Sequence, residues 1–138
     1  FDKAEILAAL RANPPLHEAL SAVWEFVGAA NRFVDAEQPW TLAKQARAGD
    51  VEAGQRLEGS LADLLEACRL VALAAAPVMP GAAPRVYAQL GLEWPYAADG
   101  SGGPPLAELA RWGGAYAEGS IGTPEILFPR LEIEAAAG

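Results

Sequence analysis

The sequence predicts an all-α helical bundle with an irregular C-terminal extension. Two long stretches, Leu16–Ala36 and Val51–Ala76, repeat apolar residues at spacings of three and four, the period of a helix with one face on a core. Proline, glycine and a capping aspartate punctuate those stretches where helices stop and start. Beyond Leu92 the period is lost in glycine- and proline-rich chain. The bundle is therefore expected over residues 1–92 and the extension over residues 93–138.

Ala4–Arg11 reads as a short helix or the end of a longer one, stopped by Asn13-Pro14-Pro15, because proline lacks a donor and disfavours helix in the residue before it. The next helix is the clearest. Leu16, Leu20, Val23, Val27, Ala30 and Val34 share a face, and Trp24 and Phe26 widen the stripe, as in a helix packed on more than one side. Pro39 ends this run and restarts the chain, since a first-turn proline sacrifices no hydrogen bond. A short helix then runs to about Arg47, with Trp40 in its first turn. Gly49-Asp50 is a turn, with Asp50 as N-cap. In the following helix Leu57, Leu61, Leu64, Leu65, Cys68, Val71 and Ala72 form the expected buried stripe, while Glu58, Asp63, Glu66 and Arg69 are expected to face water. Pro77 and Pro80 frame a tight connection to a helix near Arg85–Leu90, which Gly91 caps. "LAELARWGG" adds at most one helical turn. "EILFPRLEIE" reads as extended chain that Pro129 keeps out of any central strand. Its Ile126, Leu127, Phe128 and Leu131 are too apolar to dangle, so the segment is expected to fold back on the bundle or to lie against another domain.

With 138 residues the chain has the length of one domain that builds its own core. The single cysteine forms no bridge within the chain and suits a reducing, cytoplasmic setting. Cys68 reads as a small buried hydrophobe. No signal peptide or membrane span is recognisable, and the abrupt start at Phe1 is expected of a piece cut from a longer chain. A net charge of −8 excludes a sequence-indifferent nucleic-acid binder, which needs surplus Lys and Arg, but leaves room for a module that stacks a few unpaired bases.

Chemistry-bearing groups are sparse. His17, the single histidine, lies on the polar side of its helix and reads as solvated. One His and one Cys do not make a zinc site. "GSGGPP" has the glycines of a phosphate loop but neither its lysine nor its strand–helix setting. No catalytic residue and no metal site is assigned. Attention falls instead on "ANRFVDAEQPWTLAK", where the largest aromatic sits at a helix break. Trp40 is either an aromatic lid on the core or a stacking platform, worth ~1–3 kcal/mol per base. Asn31 has the donor and acceptor to read a base edge, and Arg32 and Lys44 have the charge for phosphate or sugar. Each of these three also reads as an ordinary surface residue.

That stretch resembles the anticodon-binding helical domain of class I aminoacyl-tRNA synthetases, and most closely the methionyl-tRNA synthetase family. "APVMPGAAPRVYAQLGL" is similar to the family's proline turn and the helix that follows, and "ILFPRLE" to its closing segment. The likeness covers most of residues 16–92 and residues near 127–132. Asn followed by Pro-Trp is shared with the isoleucyl, valyl and leucyl enzymes, whereas the later stretches point to the methionyl branch. The resemblance implies that Trp40 helps to read a CAU anticodon, with Pro39 setting its position and Asn31 and Lys44 beside it; Arg32 joins these anticodon-binding candidates on its charge. It implies tRNA-Met and the catalytic domain of the same polypeptide as partners, ATP and Mg as cofactors of the full-length enzyme, and an ATP-dependent attachment of methionine to tRNA. The family's catalytic signatures are not in these residues, and its anticodon domain begins one helix earlier than Phe1. The segment 93–122 has no counterpart in the family. The alternatives are the anticodon domain of an isoleucyl, valyl or leucyl relative, or a helical protein-interaction module.

Overall fold

The computed structural model describes residues 15–113 and 121–130. The helix expected over Ala4–Arg11, and Leu131 of the closing segment, lie outside the described residues. The described chain is all-α. Helix α1 spans Leu16–Glu37, α2 Pro39–Arg47, α3 Val51–Ala75, α4 Ala82–Gln89, and the single turn α5 Leu106–Leu109.

Helix α3 is the axis of the bundle, and α1, α2 and α4 each pack against it. Asp50 starts it: the side-chain Oδ1 accepts from the Ala53 amide at 3.0 Å, which satisfies one of the donors a helix start leaves open. Its buried face holds small residues, Ala53, Ser60, Ala67, Ala72 and Ala75, around Leu70 and Leu73. Short side chains let neighbouring helices come close, and the two leucines fill the space between them. The core groups Phe26 of α1 with Ala67, Leu70, Ala72 and Leu73 of α3 and Tyr87 of α4.

The extension is laid over this core. Trp94 meets Tyr87 edge-to-face at 4.9 Å between ring centroids and Tyr96 at 5.5 Å, an arrangement the ring quadrupoles favour. Tyr96 donates its hydroxyl to the Pro104 carbonyl at 3.0 Å, and Leu109 and Trp112 also pack against the cluster. Helix α4 ends as expected of a glycine cap: Gly91 takes a φ of +73°, and the Leu92 amide returns to the Tyr87 carbonyl.

The structure corrects several expectations. The buried face of α3 is turned relative to the predicted stripe, so that Leu61 and Cys68 are exposed, while Glu66 and Arg69 lie in the interior. They are buried because they bond one another and the chain above them. Arg69 Nε donates to Glu66 Oε2 at 3.0 Å, and its Nη1 and Nη2 donate to the carbonyls of Leu109 and Arg111, both at 2.7 Å. Glu66 Oε1 accepts the Gly113 amide at 2.9 Å. Two of the apolar side chains expected to be covered are also exposed, Leu16 and Trp24 of α1.

The closing segment does return to the bundle, but a polar clamp holds it. Arg85 Nε donates to the Glu125 carboxylate at 2.8 Å, Nη2 to the Ile126 carbonyl at 2.8 Å and Nη1 to the Leu127 carbonyl at 3.0 Å. Gln89 Nε2 donates to the Glu125 carbonyl at 3.1 Å. Gly122 runs so close to the Ala88 carbonyl that a Cβ would collide with it, and its amide donates to the Gln89 carbonyl. Leu127 is half-buried, but Ile126 and Phe128 remain 75 % and 69 % exposed.

Candidate nucleic-acid interface

The candidate site is built on the break between α1 and α2. The last residue of α1, Glu37, is followed by Gln38 in the left-handed region, at φ 47° and ψ 62°. Among the described residues Gln38 is the one non-glycine with positive φ, a conformation that costs L-residues roughly 1–2 kcal/mol. Local bonds repay part of that cost. The Gln38 amide donates to the Val34 carbonyl, closing α1, and the Gln38 carbonyl accepts the Thr41 and Leu42 amides, opening α2. Thr41 Oγ1 also donates to Gln38 Oε1 at 3.3 Å. One residue thus ends one helix and begins the next.

Pro39 occupies the first position of α2, where its fixed φ suits a helix and its missing N–H is harmless. Trp40 follows and is 60 % exposed. The indole is no lid on the core. Leu42, two residues on, is the buried residue of this helix and holds α2 to the bundle, while Trp40 faces water. Helix α2 carries no Asp or Glu, and its last turn holds Lys44 and Arg47. In a chain of net charge −8 this makes α2 a locally cationic ridge, with the partial positive charge of its N-terminus beside the indole.

The break is tied to α3 as well. Glu37 receives Arg56 Nε at 2.8 Å, Arg56 Nη2 at 2.9 Å and Ser60 Oγ at 3.0 Å. A two-pronged guanidinium grip is the strongest arrangement an arginine and a carboxylate can adopt. The bonds from Arg56 first, and then from Ser60, lower the Glu37 carboxyl to about 2. The same contact raises Arg56 above the usual arginine value.

Of the other sequence-predicted residues, Lys44 lies one turn beyond Trp40 on α2 and is exposed, so the two share a helix face. Asn31 and Arg32 are exposed on α1 but open onto two different concavities, and Trp40 lines neither. Asn31 borders an apolar groove of about 600 Å³ between α1, α3 and α4, lined by Trp24, Val27, Val34, Cys68 and Val71. Arg32 borders a shallower hollow of about 560 Å³ with Ser21, Trp24, Glu25 and Gly28. The structure therefore joins Trp40, Pro39 and Lys44 in one element and sets Asn31 and Arg32 apart from them. His17 is exposed beside Glu18. Among the described residues no three His, Cys, Asp or Glu side chains form a cation site, and no helix is long and apolar enough to cross a membrane.

Sequence reading missed Glu37. Its partners stand 19 and 23 positions away, and nothing local distinguishes it from the acidic residues around it. It missed the exposure of Trp24 for a related reason: an aromatic at helical spacing looks like core.

No family model matches the chain, and no solved structure matches it. Curated relatives do. A protein of Lactiplantibacillus plantarum is 33% identical over 120 residues, spanning 87% of this chain and 16% of the relative. A protein of Thermosynechococcus vestitus is 34% identical over 121 residues, spanning 86% and 21%. A protein of Nostoc sp. is 33% identical over 116 residues, spanning 84% and 21%. All three are ligases that act on tRNA. Each is a methionine–tRNA ligase, and it is to this family that the chain belongs, as the counterpart of one portion. It spans about a fifth or less of the length of the relatives it matches.

Proposed function

We propose that this chain is the anticodon-reading portion of a cytoplasmic methionine–tRNA ligase, with Trp40 as the stacking platform. The observation that carries the reading is the exposed indole at a proline-set helix start, on a ridge without acidic residues. A face left open to water is one on which an unpaired base can lie, and indole–base stacking is worth ~1–3 kcal/mol. Lys44, one turn on, supplies a phosphate or sugar contact, and Pro39 fixes the origin of the helix. Asn31 and Arg32 stand on the adjoining helix, away from the Trp40 ridge, and any contact they make is with nucleotides other than the one on the indole.

In the complete ligase the attachment of methionine to tRNA, with ATP and Mg, belongs to a catalytic domain in the rest of the polypeptide. This portion contributes differential binding, since holding the correct anticodon orients the distant acceptor end, and a wrong base leaves polar groups unpaired. The methionyl names of the relatives favour this branch over its isoleucyl, valyl and leucyl cousins.

The test is the affinity of wild type and Trp40→Ala for an RNA stem–loop bearing CAU. The substitution is expected to weaken binding by ~1–3 kcal/mol with the helical circular-dichroism signal intact. Unchanged affinity would sink the stacking role, and preference for an isoleucine anticodon would sink the methionyl assignment. With a net charge of −8 the isolated chain is expected to bind weakly and to lose affinity further as salt rises.

A further inference from the structure

The Glu37–Arg56–Ser60 contact is a side-chain tie from the α1–α2 break to α3, and it stands next to a strained residue. Gln38 at φ 47° is not a conformation the chain would choose alone. Rotation about its two backbone dihedrals would swing α2, and Trp40 with it. On the far side Leu42 is buried and Ala46 packs near Gly54 of α3, so α2 is seated on α3 at its middle and end. On the near side the seat is Glu37. Three hydrogen bonds of 2.8, 2.9 and 3.0 Å lock the last residue of α1 to α3. The carboxylate itself is largely covered, its side chain 17 % exposed, although Arg56 is 60 % exposed. From this geometry we infer that Glu37 is a positioning residue: clasped by Arg56 and Ser60, it fixes the origin and tilt of α2 and so aims the Trp40 indole at the RNA.

The inference rests on the proposed role of Trp40, and the experiment separates the two. Affinity for a CAU stem–loop is measured for the full chain, for Trp40→Ala, for Glu37→Ala, and for the double variant, with melting temperatures in parallel. Glu37→Ala is expected to weaken binding about 3- to 10-fold, a part of the stacking loss. The decisive reading is the cycle: in the Trp40→Ala background the Glu37 change should cost nothing more, because it acts through the indole. Glu37→Gln, which still accepts hydrogen bonds from Arg56 and Ser60, should restore most of the affinity. Arg56→Ala, which removes two of the three bonds to Glu37, is the second variant if Glu37→Ala does not fold and should show the same loss. Equal losses in both backgrounds, or no loss in folded Glu37→Ala or Arg56→Ala, would overturn the positioning role while leaving Trp40 as the platform. No loss from Trp40→Ala itself would overturn the proposed function, and the positioning role with it.

Discussion

Of the three arginine–carboxylate pairs among the described residues, two do opposite work. Glu66 and Arg69 sit i and i+3 on α3 with side chains 4 % and 6 % exposed. Glu37 and Arg56 join the end of α1 to the start of α3 from the surface. The buried pair is costly to desolvate and survives because its remaining valences go to the backbone of Leu109, Arg111 and Gly113. It fastens the extension over the core. The second pair is open on its arginine side, with Arg56 60 % exposed, and costs less to desolvate than the buried one. What it has is position, one residue from a strained hinge and three from the indole. Burial sets how much a pair matters to folding, and location sets how much it matters to a site.

The comparison can be broken most violently at the buried pair. Glu66→Ala should cost ~3–5 kcal/mol, because it strands a buried guanidinium. Denaturant unfolding measures this, and a loss under 1 kcal/mol would mean that water reaches the site. Replacing both residues with leucine should be gentler than either single change, yet it should leave the 105–113 segment more open to proteolysis, since the anchors of its carbonyls are gone. Next in size is Arg85→Ala, expected to cost about 1 kcal/mol and to free residues 121–130 for hydrogen exchange without disturbing α1–α3. Smallest at neutral pH is Glu37→Gln, whose signature lies in acid. The Glu37 carboxyl falls from 4.5 to about 2 on folding. Its contribution is therefore full above pH 4.5 and is lost as pH drops toward 2. The variant should show a flatter acid limb in melting temperature between those values, and an unchanged limb would show that the clasp is not formed in solution.

Much of this was legible in the sequence. Periodicity gave α1 nearly to the residue, Pro39 gave the break and the start of α2, and Asp50 and Gly91 gave a cap at each end of the bundle's second half. These features are local: each is written in a few consecutive residues. The rotation of α3 was not. A stripe drawn through Leu61 and Cys68 is as periodic as one drawn through Ala67 and Leu70, and only the neighbours decide between them. Nor was the burial of Glu66 and Arg69, whose partners are backbone atoms 40 to 47 positions away. The closing segment was legible in its return to the bundle but not in how it is held. Its apolar residues suggested apolar burial, but the backbone is held by Arg85 and Gln89, and Ile126 and Phe128 are left facing out. At the candidate interface the type of residue was readable and the grouping was not, since sequence distance between Asn31, Arg32 and Trp40 does not report the turn Gln38 introduces.

That turn has a consequence for how related chains can vary. Because α1 stops and α2 starts on a single amino acid, the junction has no slack. An extra residue there would rotate everything downstream by about 100° around the helix axis and carry the indole to another side of the molecule. Substitutions at the junction are tolerable where they keep its dihedrals; insertions and deletions are not. Chain length between Asn31 and Trp40, more than any single side chain in the interval, is the quantity that descendants of this sequence must preserve.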